Sequence, residues 1–213
     1  MLKYLLLLVV SIIFMVGCAT TTKDYTKFNE ANPHSILIVP VVNESVDVDA
    51  PDYFLSTISK PVAEQGYYVF PVNMVKRILE DEGLSDANLV HNAPTEKLCS
   101  LFGSDAVLYI IITRWDAKYV LLATKITVSL EYVIKDGKTE EVLWEEKRTI
   151  EYTPQRSGSS GSWIADLITD VVIAAAAKAK PNYIPLAQQV NKEAFTYPGP
   201  GIPPGKYALA KEK

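Results

Sequence analysis

The stretch "AVLYIIITRW", residues 106–115, limits the possible folds more than any other part of this chain. It is continuously apolar until Thr113, as expected of a central strand covered on both faces. The next apolar stretch, "KITVSLEYVI", instead alternates. Ile126, Val128, Leu130 and Tyr132 fall on one face, and Lys125, Thr127, Ser129 and Glu131 on the other, which describes a half-covered strand. Asp136-Gly137 is a hairpin signal leading into a third strand around Val142 to Tyr152.

Upstream, "SILIVPVVN" opens the fold with a short buried strand, Ile36 to Val42, broken by Pro40. "DAPDYFLSTISKPVAEQGYYVFP" reads as helix then strand. Pro51 sits at a first helical position, Tyr53, Phe54, Ile58 and Val62 share a face, Gly66 is the stop, and Tyr67 to Phe70 form the strand. Pro61 predicts a kink or restart. "VNMVKRILEDEG" is a second helix with Met74, Val75, Ile78 and Leu79 inward, and a third runs from about Pro94 to Phe102. The order β-α-β-α-α-β-β-β-α predicts an α/β fold, a mixed sheet with packed helices, and not a doubly wound nucleotide fold.

"SWIADLITDVVIAAAAKAK" predicts a closing helix that is apolar over a wide arc, with Ile173 interrupting its polar side. Packing against the chain's own sheet is the favoured use of that face. The alternative is a subunit contact, a homodimer, through Trp163, Ile173, Ala174, Ala176 and Ala177. Two acidic residues and insufficient length rule it out as a membrane span. The last stretch, "YPGPGIPPGKYALAKEK", predicts an extended tail, free or laid across a surface.

At the other end, Lys3 precedes an apolar run from Leu5 to Val16 that is interrupted only by Ser11. This is the layout of a secretory signal. The run stops at Val16-Gly17-Cys18-Ala19, which resembles a bacterial lipobox. The resemblance implies that residues 1–17 are removed and that Cys18 becomes a diacylglyceryl-modified, N-acylated first residue. Two or more chains would anchor stably, since each buried methylene adds about 0.8 kcal/mol. Ala19 after the cysteine implies the outer membrane under the usual sorting pattern. Residues 18–33 then read as a lipid-anchored tether, 34–195 as one domain and 196–213 as the tail. Fifteen tether residues extend to at most about 50 Å. Removing the signal, whose one charge is Lys3, takes the net charge from −4 to −5. An acidic chain without a Lys/Arg cluster argues against nucleic acid and against electrostatic binding to anionic lipid.

Chemistry-bearing residues do not converge in the sequence. His34 and His91 lack metal-ligand spacing to another His or Cys and read as exposed loop residues. Asp47, Asp49 and Asp52 could gather a hard cation, yet the loop lacks the Gly and distal Glu of a calcium site, so carboxylates at the following helix's N-terminus are expected. "RSGSSGSW" lies where an anion-binding loop would, but no Gly-Lys-Ser/Thr follows. Cys99, between Leu98 and Leu101 in a helical pattern, is expected to be a buried, inert thiol. The expectation is a protein that is not an enzyme, with no cofactor and no metal.

The stretches "SILIVPVVNESVDVDAPDYFLSTISKPVAEQGYYVFPVNMVKRILEDEGLSDANLVH", "FGSDAVLYIIITRWDAKY" and "PNYIPLAQQ" resemble the bacterial lipoprotein family whose named member is a neisserial genome-derived antigen. The resemblance spans roughly Pro33 to Gly205. It implies a fold similar to the TolB amino-terminal domain and the periplasmic part of the CsgG lipoprotein, with no active site to carry over. It further implies a lipid-anchored outer-membrane lipoprotein facing the periplasm, an interaction or assembly component of an envelope or secretion complex with a CsgG-like partner. An activator of a peptidoglycan synthase is the alternative, and an envelope enzyme the distant one.

Overall fold

A computed structural model of the protein describes residues 23–120, 123–152, 183–196 and 198–208. One mixed sheet organises them. Its strands are β1 (Ser35–Ile38), β2 (Val42–Asn43), β3 (Tyr68–Val69), β4 (Ala106–Val120), β5 (Ala123–Asp136) and β6 (Val142–Tyr152). Their spatial order is β3-β1-β4-β5-β6, and β2 continues the line of β1 beyond Pro40 to pair with β4. β3, β1, β2 and β4 run parallel, whereas β4, β5 and β6 are antiparallel.

The helices are α1 (Thr26–Ala31), α2 (Ala50–Glu64), α3 (Val72–Asp81), α4 (Ala87–Asn92), α5 (Thr95–Phe102) and α6 (Ile184–Phe195). The path β1-α2-β3 steps outward across the sheet, and β3-α3-α4-α5-β4 steps back past β1. Crossovers of one hand that step in opposite directions must lie on opposite faces. The packing follows this rule. Ile36, Ile38, Leu108, Ile110 and Ile112 join Phe54, Ile58, Val62, Leu186 and Val190 of α2 and α6 in one core. Leu37, Val39, Val107 and Tyr109 join Val75, Leu79, Val90 and Leu98 of α3 to α5 in the other. Among the described residues only the parallel part of the sheet is covered twice, which is why β4 begins as a continuous apolar run. Ile126, Val128, Leu130, Tyr132 and Ile134 of β5 enter the first core alone, as their alternation predicts.

An irregularity between Ile112 and Arg114 shifts the β4–β5 register by one residue. Without it Trp115 would face away from the first core; with it, Trp115 is buried there and its ring centroid lies 5.2 Å from that of Tyr183.

The expected mixed α/β architecture is present, and its details depart in instructive places. α2 runs unbroken through Pro61. Its buried face uses Leu55, while Tyr53 is exposed; on α3, Met74 is exposed although Val75 and Leu79 are buried. Packed structure also begins earlier than Ser35, because Phe28 on α1 is buried against the edge of Tyr67's ring. The tail is laid across the molecule. The Tyr25 hydroxyl donates to the Gly201 carbonyl (2.7 Å), Trp144 Nε1 to Pro200 (2.8 Å) and the Tyr67 hydroxyl to Pro203 (2.6 Å), and Ile202 is fully buried. The closing helix expected around residues 162–180 lies outside the described residues.

Candidate functional site

A cleft of about 690 Å³ opens where α1, α5 and the β5–β6 turn meet at one end of the sheet. α5 stops at Gly103, whose left-handed conformation (φ 70°) turns the chain back through Ser104 and Asp105 into β4. Opposite, Asp136 and Gly137 turn β5 toward β6. Cys99 fills the floor between them. A Cβ at Gly137 would lie 2.5 Å from the Cys99 sulfur and 2.7 Å from the Asp105 carbonyl, so only glycine fits.

The carboxylates at the base of the cleft are engaged by their own backbone. Asp105 Oδ2 accepts from the His34 and Ser35 N–H groups and from the Ser35 hydroxyl, each at 2.9 Å. Burial alone would raise the Asp105 carboxyl, yet these donors hold it below its usual range. Asp136 is similar. Burial pushes it up, but the N–H groups of Thr139 and Lys138 and the Thr139 hydroxyl outweigh that and lower it. Burial pushes the Cys99 thiol up, and the negative charges of Asp136 and Asp105 raise it further. The thiol therefore stays protonated near neutrality and is a poor nucleophile. Around the mouth stand Glu30, Glu96 and Glu141, with Lys27 pairing Glu141 at 3.0 Å. At the base of the cleft, then, stand two hydrogen-bonded carboxylates and a neutral thiol.

The other candidates are dispersed. His91 is a helical residue, not the exposed loop residue expected. It sits on α4 half-buried, Nε2 3.0 Å from the Pro40 carbonyl and its ring edge-on to Tyr109. Burial lowers its pKa, the Pro40 hydrogen bond opposes this, and Lys135 lowers it again, so the ring is neutral near pH 7. Asp47 accepts the Asp49 N–H (3.0 Å) and Asp52 pairs with Lys76 (2.9 Å). Among the described residues no three His, Cys, Asp or Glu side chains gather as metal ligands. Cys18 and the expected contact residues Trp163, Ile173, Ala174, Ala176 and Ala177 lie outside the described residues, as does "RSGSSGSW".

Sequence reading anticipated the Cys99 burial and the Asp136-Gly137 turn separately and missed that they face each other. The available signal was the pairing of a glycine after Asp136 with a small thiol on α5, which becomes readable only once β4 and β5 are placed side by side.

A family model described as "Putative lipoprotein GNA1162-like" matches residues 23–199. The lipoprotein NMB1124/NMB1162 of Neisseria meningitidis serogroup B is 40% identical over 139 residues, which is 65% of this chain. That match spans 62% of the curated relative's length, less than two thirds. The crystal structure of lipoprotein GNA1162 from Neisseria meningitidis overlays with a TM-score of 0.56 at 33% identity, covering 69% of this chain and 100% of that one. The LpoB C-terminal domain from Salmonella enterica overlaps at a TM-score of 0.40 and 17% identity, covering 56% of this chain and 84% of that one, too loosely to carry an argument. With a family match over most of its length and a structural overlay that uses all of the neisserial lipoprotein's chain, this chain belongs to the GNA1162-like lipoprotein family.

Proposed function

We propose that the protein is a non-catalytic, lipid-anchored component of an envelope or secretion assembly, held at the outer membrane through Cys18 and facing the periplasm, with a CsgG-like lipoprotein as partner. The observation that carries this reading is membership of a lipoprotein family together with Val16-Gly17-Cys18-Ala19. The cleft supports its non-catalytic part, because Asp105 and Asp136 are committed to backbone N–H groups and Cys99 is protonated. Residues 1–17 act as the export signal, and the folded domain that follows presents surfaces instead of reacting groups. A contact through Trp163, Ile173, Ala174, Ala176 and Ala177 belongs to the same proposal.

The test is photo-crosslinking in native outer membranes from a residue at the cleft mouth, Lys27 or Glu96, followed by mass spectrometry. A CsgG-like lipoprotein among the adducts supports the reading. A peptidoglycan synthase would replace it with an activator role, and turnover of a substrate dependent on Asp105 or Asp136 would overturn it. The N-terminal peptide from the same membranes should begin at Cys18 and carry lipid; an unmodified peptide starting elsewhere removes the anchor.

A further inference from the structure

β6 is the outer strand of the sheet and it is long, running from Val142 to Tyr152. The Thr113 hydroxyl donates to the Ser129 carbonyl, so Ser129 faces β4, and Ser129 pairs with Thr149. Backbone direction alternates along a strand, so Lys147, Thr149 and Glu151 turn their N–H and C=O groups away from β5. Glu145 does the same, and its carbonyl is taken by the Lys23 ammonium. Among the described residues, Lys147, Thr149 and Glu151 thus present an open edge. Their side chains are exposed on the solvent face of the sheet, where Lys147 pairs with Glu131 and Glu151 with Lys125, each at 2.8 Å, and Thr149 shares a 2.7 Å hydroxyl contact with Ser129.

We propose that this edge pairs with the same edge of a second copy of the chain, antiparallel, about a two-fold axis through Thr149. Charges on an edge strand deter pairing in most registers, since like charges come to lie opposite one another. This edge has one register that they favour. With Thr149 opposite Thr149, Lys147 of each copy stands opposite Glu151 of the other, and the row Glu131, Lys147, Glu151, Lys125 runs across the joined sheets with alternating sign. Both backbone groups of Lys147, Thr149 and Glu151 find partners in that register. An axis through Lys147 or Glu151 would place like charges face to face. One through Arg148 would oppose Glu145 to Glu151. One through Glu146 would bring Glu145 opposite Lys147, but Lys23 already occupies the strand there and Glu146 would meet Glu146. The occupant is a second copy because the charge pattern of the edge is complementary to itself.

The test uses the full-length chain in native membranes and in detergent. Paired residues of this kind have Cα atoms about 5.5 Å apart, within disulfide range. Thr149→Cys should give a reductant-sensitive dimer under mild oxidation, whereas Lys147→Cys, whose counterpart lies roughly 14 Å along the strand at about 3.4 Å per residue, should not. In detergent, Thr149→Lys and Thr149→Glu should each weaken dimerisation at least tenfold by opposing like charges, and mixing the two variants should restore a dimer of both. Equal cross-linking from both cysteine positions, no cross-link from Thr149→Cys, or lysine and glutamate variants that dimerise as the natural chain does would each overturn the proposal. Thr149 is exposed, so these variants keep the fold.

Discussion

Gly137 and Cys99 meet at the base of the cleft, and the contact leaves no room for a methyl group. Gly137→Ala should destabilise the fold by about 1–3 kcal/mol, the usual cost of overpacking. Cys99→Ala should recover only part of that loss, since the Asp105 carbonyl also obstructs; thermal melts of the two single variants and the double variant check this. Full recovery would mean that the sulfur alone sets the limit. A second residue-scale prediction concerns Asn191, fully buried between α6, β5 and α2. It accepts from the Tyr132 hydroxyl (2.6 Å) and donates to Thr57 Oγ1 (2.8 Å), while the Thr57 hydroxyl donates to the Phe54 carbonyl (2.6 Å). Asn191→Ala strands the Tyr132 hydroxyl, at a cost of about 2–3 kcal/mol. In Asn191→Ala/Tyr132→Phe part of that loss should return, because the unpaired hydroxyl is gone; denaturant melts measure the difference.

At the scale of elements, the turn from α5 into β4 depends on a charged carboxylate. Asp105 joins that turn to the start of β1 through three hydrogen bonds, and its folded pKa lies below its ordinary 3.8. A depressed carboxylate stabilises the fold above its unfolded pKa, and the benefit fades as pH falls through the folded value. Tm measured from pH 5 to pH 2 should therefore drop, and Asp105→Asn should flatten part of that drop while starting from a lower Tm near neutrality. The tail is also an element in this sense. Ile202→Ala should cost about 2–4 kcal/mol and speed hydrogen exchange in α1, because Gly201 and Gly199 accept from Tyr25 just before that helix.

These elements also show what a sequence can reveal. The two faces of β5 and the continuous run in β4 were legible because side-chain period reports directly on how many faces are covered. Pro61 misled because a proline in a helix's last turn removes one hydrogen bond without ending the helix, here where Thr57 and Asn191 hold the neighbouring turn. α1 was hidden by polarity: six residues with one buried ring, Phe28, make no periodic signal. α6 is missing from the element order expected of the sequence, although Pro185 opens it and Leu186, Val190 and Phe195 line it. The Thr113 irregularity left no mark, since "IIITRW" reads equally well in either parity. The cleft lay beyond reach for a different reason. Its parts, Cys99, Asp105 and Gly137, come together only through strand pairing.

At the scale of the whole molecule, α1 matters for where the domain can go. Lys23 is bound to Glu146, α1 packs through Phe28, and the tail holds Tyr25, so the folded body already includes residues 23 to 31. With lipid on Cys18, five residues lead from the anchor to that body, at most about 17 Å, against the 50 Å that an unstructured stretch to Pro33 would allow. On the proposed lipidation, such a leash would confine the domain to a thin slab beside the bilayer. Its search for partners then becomes nearly two-dimensional: molecules anchored in the same leaflet meet it at high effective concentration, and those farther off must come to the membrane to be met.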